Sequence, residues 1–133
     1  MESSTINSAF EKAYSANIYL GVTPGYNHNN ENDYDIDSFC NKLQKDLDTI
    51  SDKIEYYISF VVTKSKVVYR KEWGCPDGGE SIFILHTTLN TNYNVNYIKW
   101  KDAVCKYAEC LKEMYEQSTL TIEFDKCETL HLK

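Results

Sequence analysis

The chain predicts an α+β sandwich in which two helices cover one face of a four-stranded antiparallel sheet. Three observations lead there. Short period-2 apolar stretches occur near the start, Asn17 to Val22, and near the end, Thr119 to Phe124. Two longer stripes recur at helical spacing, one over Phe39, Cys40, Leu43, Leu47, Ile50 and Ile54, the other over Tyr97, Trp100, Val104, Tyr107, Ala108, Leu111 and Tyr115. Between them lie two β-branched and aromatic stretches separated by Cys75-Pro76-Asp77-Gly78-Gly79. The order β-α-β-β-α-β is that of the ferredoxin-like fold. That fold hosts enzymes, ligand sensors and oligomer subunits alike, so it constrains architecture more than activity.

Taken in order, residues 1–16 are small and polar, with Ile6, Phe10 and Tyr14 spaced as on one helical face, and read as an N-terminal arm or short docking helix. Residues 17–133 read as one domain. Ile18, Leu20 and Val22 alternate with Tyr19 and Gly21, which gives a strand apolar on one face. Thr23-Pro24-Gly25 ends it, and the Asn-rich segment Tyr26 to Tyr34 contains no aliphatic residue, as expected of a solvent-facing loop. Asp35 or Asp37 is placed to cap the first helix. Tyr57 to Val62 and Val67 to Trp73 read as one bent strand, or as a strand interrupted at Lys64-Ser65-Lys66. The Pro-Asp-Gly-Gly turn folds the third strand, Ser81 to Leu89, back as a hairpin. The second helix is expected to end near Gln117, and Cys127 to Lys133 to extend the last strand along an edge.

With 133 residues, 42% of them hydrophobic, the chain is long enough to bury a core without staples. No apolar run is long enough to span a bilayer, and the start lacks a secretory pattern, so a cytoplasmic protein with no membrane partner is expected. Five cysteines form an odd set with no C-x-x-C pair, which fits free thiols in a reducing compartment. The net charge of −6 disfavours general binding to duplex nucleic acid. The abundance of Tyr, Asn and Lys suggests an AT-rich genome, viral or low-GC bacterial.

The third strand is apolar on both sides. Ile82 and Ile84 alternate with Phe83, Leu85 and Leu89, while a ferredoxin-like sheet has helices on only one face. Self-association through the open face is therefore expected, giving a homo-oligomer. Lys64, Lys66 and Arg70, the last being the sole arginine, share one side of an unbroken strand and would suit a phosphate or carboxylate. With Tyr26, Trp73 and His86 they form the expected binding set for a small anionic ligand of nucleotide type. The leading functional expectation is thus a non-enzymatic oligomeric binding domain for such a ligand or for a protein partner, with viral sequestration of a signalling nucleotide as one task.

Two alternatives accompany it. His86 and Thr88 lie two apart on a strand, where an imidazole and a hydroxyl could hold one phosphate. Leu85-His86-Thr87-Thr88-Leu89 resembles one of the two H-x-T motifs of the 2H phosphoesterases, and the resemblance implies phosphodiester cleavage with His86 as acid or base. A second motif is needed, yet the later His131 is followed two residues on by Lys133 rather than a hydroxyl; His28 is the remaining histidine. The other alternative is an interaction module or nucleic-acid mimic built on the acidic stretch Glu31 to Asp52. Asp33, Asp35 and Asp37 alternate as in a calcium loop, but Ser38 and Gln44 stand where glycine and glutamate are required, so they read as helix-start carboxylates and no metal is expected. No phosphate-loop or dinucleotide motif occurs, and no cofactor is expected.

Overall fold

The structure, a computed structural model, describes residues 10–21, 35–89 and 96–130. Its elements are β1 (Phe10–Gly21), α1 (Ile36–Ile54), β2 (Val61–Val67), a 3-10 turn (Lys71–Trp73), β3 (Glu80–Leu89), α2 (Tyr97–Met114) and β4 (Thr121–Leu130). The strands form one antiparallel sheet in the order β2-β3-β1-β4, so β1 and β3 are interior and β2 and β4 are edges. This is the expected ferredoxin-like arrangement.

Register fixes which side chains meet. Ile18 pairs with Leu85 on one side and Ile122 on the other, and Leu20 pairs with Phe83, so these residues share the helix-covered face. Phe39 and Leu43 of α1 and Trp100, Val104, Tyr107 and Leu111 of α2 close over them in one core. The Phe39 and Phe83 rings stack at 3.8 Å with an interplanar angle of 4°. Both helices start on a side-chain cap. Asp35 accepts from the Ser38 N–H at 2.7 Å, and Asn96 accepts from the Ile98 and Lys99 N–H groups at 2.8 and 3.3 Å. The Ser38 bond and, to a lesser degree, Lys64 hold the Asp35 carboxyl below its ordinary value.

Three boundaries differ from the sequence reading. Tyr14, spaced with Phe10 as if on a helix, lies in β1, because pairing with both β3 and β4 satisfies the backbone on two sides and overrides a weak local pattern. Lys64-Ser65-Lys66 is the middle of β2 rather than an interruption, which an edge strand tolerates since its outer side is not buried. Residues 57–60 precede that strand without joining it, and Arg70 lies beyond its end. The five cysteines are free thiols, and burial pushes those of Cys40 and Cys105 above their ordinary value. No helix among the described residues is long and apolar enough to cross a membrane.

The segment between α1 and β2 is held by one buried hydroxyl. The Tyr107 oxygen accepts from the Ile58 N–H at 3.3 Å, donates to the Tyr56 carbonyl, and lies 2.8 Å from the Ser51 hydroxyl. Tyr107→Phe preserves the ring but leaves these groups short of a partner, so we expect a loss of about 1–3 kcal/mol. A urea midpoint shift, with faster amide exchange at Ile58, is the measurement.

Candidate functional site

The face of the sheet away from the helices is chemically mixed. Period 2 places Asn17 and Tyr19 of β1, Glu80, Ile82, Ile84, His86 and Thr88 of β3, Val61 and Val67 of β2, and Thr121 and Glu123 of β4 on it. A groove borders this face at each end.

The larger, of about 490 Å³, lies where β2 begins and β3 ends, lined by Tyr56, Tyr57, Phe60, His86, Thr88 and Trp100 among others. His86 Nδ1 is 2.7 Å from Asn17 Oδ1, and Nε2 is 3.3 Å from the Thr88 hydroxyl. With Asn17 accepting, Nδ1 carries the proton and Nε2 accepts from Thr88, so the neutral ring uses both nitrogens within the sheet. The expected His86 and Thr88 pair is thus side by side in the wall of this groove, with both ring nitrogens engaged by neighbours in the sheet.

The smaller groove, of about 290 Å³, lies at the other end, where β1 finishes and β3 and β4 begin; it is lined by Tyr19, Gly21, Tyr69, Glu80, Gln117 and Thr121 among others. The turn before β3 builds it. Gly78 and Gly79 have φ of 86° and 97°, and a Cβ on Gly79 would lie 2.9 Å from the Val67 carbonyl oxygen, so the chain can close there only without a side chain. Tyr69 is thereby carried over Glu80, to which its hydroxyl donates at 3.3 Å. A second such pair adjoins it: hydrogen bonding to Glu123, followed by burial and the Glu123 charge, raises the Tyr19 phenol above its ordinary value. Two tyrosine–carboxylate pairs therefore stand on one face, which is an arrangement suited to a cation.

The residues expected from sequence are not gathered in either groove. Lys64 and Lys66 pair with Phe83 and Ser81 and so lie on the helix side of β2, opposite to His86. Arg70 sits at the start of the 3-10 turn, paired with Glu72 at 2.9 Å and near the Trp73 ring. Tyr26, Asp33, His28 and His131 lie outside the described residues. Nothing in sequence spacing marks Tyr69 or Glu80, and the one signal at Tyr19 and Glu123 is that they alternate with the apolar residues of their strands. Among the described residues no group of three His, Cys, Asp or Glu side chains converges as a metal site would require.

The fold and the groove with Tyr19, Tyr69 and Glu80 define a small α+β domain of the ferredoxin-like class. The comparisons narrow that class. The family model for SAM lyase matches residues 11–133, and the chain belongs to that family. Among solved structures it is similar to a phage SAM lyase in complex with S-methyl-5'-thioadenosine, at 15% identity over 90% of each chain with a TM-score of 0.56. It is likewise similar to a phage SAM lyase in the apo state, at 14% identity, 90% coverage of each and a TM-score of 0.54. No curated protein matches. At these identities the structural likeness speaks for the fold. The family corrects the expectation of a purely non-enzymatic binding domain of unknown function, since its members are named for a reaction.

Two measurements probe the smaller groove. A Cβ on Gly21 would press against Gln117 Oε1, the far end of a flexible side chain. Gly21→Ala is therefore expected to move Gln117 while changing stability by under about 1 kcal/mol, checked by thermal melting and by the amide signals of residues 115–121. Ultraviolet titration should find Tyr19 ionising above 10.0, and Glu123→Gln should bring it down. Because the folded pKa is raised, the associated stability is present below pH 10 and is lost as pH rises through the folded value.

Proposed function

We propose that this chain cleaves S-adenosylmethionine and releases S-methyl-5'-thioadenosine. The observation that carries the reading is the family match over residues 11–133. Substrate chemistry then selects between the grooves. S-Adenosylmethionine carries a sulfonium and an ammonium against one carboxylate, so its amino-acid end is cationic. The groove with Tyr69, Glu80 and the neighbouring Tyr19–Glu123 pair suits it. Lys64, Lys66 and Arg70, which would suit an anion, would repel it. The ligand class of the sequence reading is retained only in part: a nucleoside, but a cationic one.

The bond to break joins the sulfonium sulfur to Cγ of the amino-acid portion. Sulfur leaves as a neutral thioether carrying the bonding pair, so no acid is needed for the leaving group. The substrate's own carboxylate attacks Cγ and closes a five-membered lactone. No water enters, no proton moves, and the ammonium accounts for the unchanged net charge of the products. The protein's contribution is then to fold the aminobutyrate chain into a near-attack geometry, with Glu80 holding the ammonium and tyrosine rings flanking the sulfonium. Such a site gains by binding the bent substrate rather than by tight hold on the sulfonium, whose charge disappears in the transition state.

We also propose that copies associate through the open face, where exposed Val61 and Val67 and half-buried Ile84 present apolar surface beside the groove. Sedimentation of the full chain tests this.

Incubation with S-adenosylmethionine in ¹⁸O water, followed by mass spectrometry, should yield S-methyl-5'-thioadenosine and an unlabelled lactone. Label in the first-formed four-carbon product would mean hydrolysis, and unchanged substrate would remove the proposal. Glu80→Gln should lower kcat/KM about 10- to 100-fold, as expected for a charged hydrogen bond worth about 1.5–3 kcal/mol. His86→Gln should leave it within about threefold. The reverse ranking would move the site to the larger groove.

A further inference from the structure

The described residues concentrate their exposed apolar side chains in one place. Of eight large hydrophobic residues left exposed, five lie between Tyr57 and Trp73: Tyr57 (78%), Val61 (67%), Val67 (41%), Val68 (74%) and Trp73 (72%). The same stretch is the one cationic segment of an acidic chain. Residues 57–73 contain Lys64, Lys66, Arg70 and Lys71 against Glu72, a net +3, while the whole chain is −6 and the remainder therefore −9. All four cations are exposed.

This stretch contains β2, an edge strand that pairs with β3 along Val61–Val67 and with no strand on its other side. Beside its start, between it and α1, runs a cleft of about 430 Å³ lined mainly by Leu43, Leu47, Ile58, Phe60 and Val62, with exposed Gln44 and Asp48 on its α1 side. Period 2 puts Val62, Lys64 and Lys66 on one side of the strand, facing the helix layer. An added strand would therefore meet, along that side, first a greasy slot and then two ammonium groups. Lys64 already faces a carboxylate, that of Asp35 at the start of α1.

We propose that the β2 edge is a docking strip for an extended acidic segment of a partner protein, which adds as a fifth, antiparallel strand. Backbone bonds would supply affinity and the slot and cations the selection. Charge is what chooses this occupant. A second copy of β2 laid antiparallel along the whole strand would bring Lys64 of the two chains opposite one another, with each Lys66 diagonal to the pair, and like charges directly across a ladder are destabilising. A segment with carboxylates opposite Lys66 and Lys64 and leucines opposite Val62 and Phe60 meets both demands.

The test uses the full chain labelled with ¹⁵N and the peptide acetyl-Glu-Thr-Glu-Thr-Leu-Thr-Leu-Thr-amide, with a control in which lysine replaces both glutamates. The expected result is saturable perturbation of amides 57–68 by the acidic peptide, weakened by salt, and at least about tenfold weaker binding of the control. Lys64→Glu with Lys66→Glu should reverse that preference; the milder Lys64→Gln with Lys66→Gln should abolish it, each checked by an unchanged amide spectrum elsewhere. Equal response to both peptides, perturbation confined to other residues, or no response at millimolar peptide would overturn the proposal. So would slowed hydrogen exchange of the β2 amides that point away from β3 on raising the concentration of the peptide-free protein, which would mean that the edge pairs with itself.

Discussion

One hydroxyl organises the half of the molecule that faces its clefts. Tyr107 is fully buried, and a buried phenolic oxygen without partners would cost more than its ring gains in specificity. It finds partners in the backbone on either side of Tyr57 and in Ser51 at the end of α1. Three elements distant in sequence are thereby tied at one point in the core. The chain between α1 and β2 consequently runs extended without joining the sheet, and its side chains wall a groove on either side. Where the sheet may begin at Val61 is thus decided from within, by α2.

Much of this was readable in the amino-acid order. The stripe from Phe39 to Ile54 identifies a helix because six apolar residues fall on one face, and Asp35 caps it as its position suggests. Alternation likewise divides Phe83 and Leu85 from Ile82 and Ile84. What periodicity could not convey is pairing partners. Residues 10–16 are weakly patterned and become a strand only because two neighbours flank them, and the lysines of β2 are central in a strand only because that strand is an edge. The site was less legible than the fold. Tyr69 and Glu80 are eleven residues apart, and nothing in their spacing reveals that a turn with two positive-φ glycines folds one over the other.

For the proposed substrate, the sign of charge is what the sequence conveys least. Cations are conspicuous in an acidic chain, so Lys64, Lys66 and Arg70 point to an anion, whereas S-adenosylmethionine is cationic. In the folded protein they face away from the open side of the sheet or lie beyond β2, whereas tyrosine-paired carboxylates remain on it. Under the proposed function the tyrosines have a chemical purpose, because a phenol both orients a carboxylate and presents a π face to a cation. The same fold with the opposite lining would suit a phosphate, which is why the architecture alone left the ligand open.

The central position of β1 carries a consequence for biosynthesis. Tyr19 pairs with Thr121 and Phe10 with Leu130, contacts that join nearly the two ends of the chain. On a ribosome the strand made first must wait for the strand made last, with only its β3 side available meanwhile. Its open edge is a template for wrong partners during that interval, and the alternation of Lys12, Ser15 and Asn17 with apolar residues keeps it from being uniformly sticky. Closure of the sheet therefore waits for β4, and without it interior β1 would have a partner on one side only.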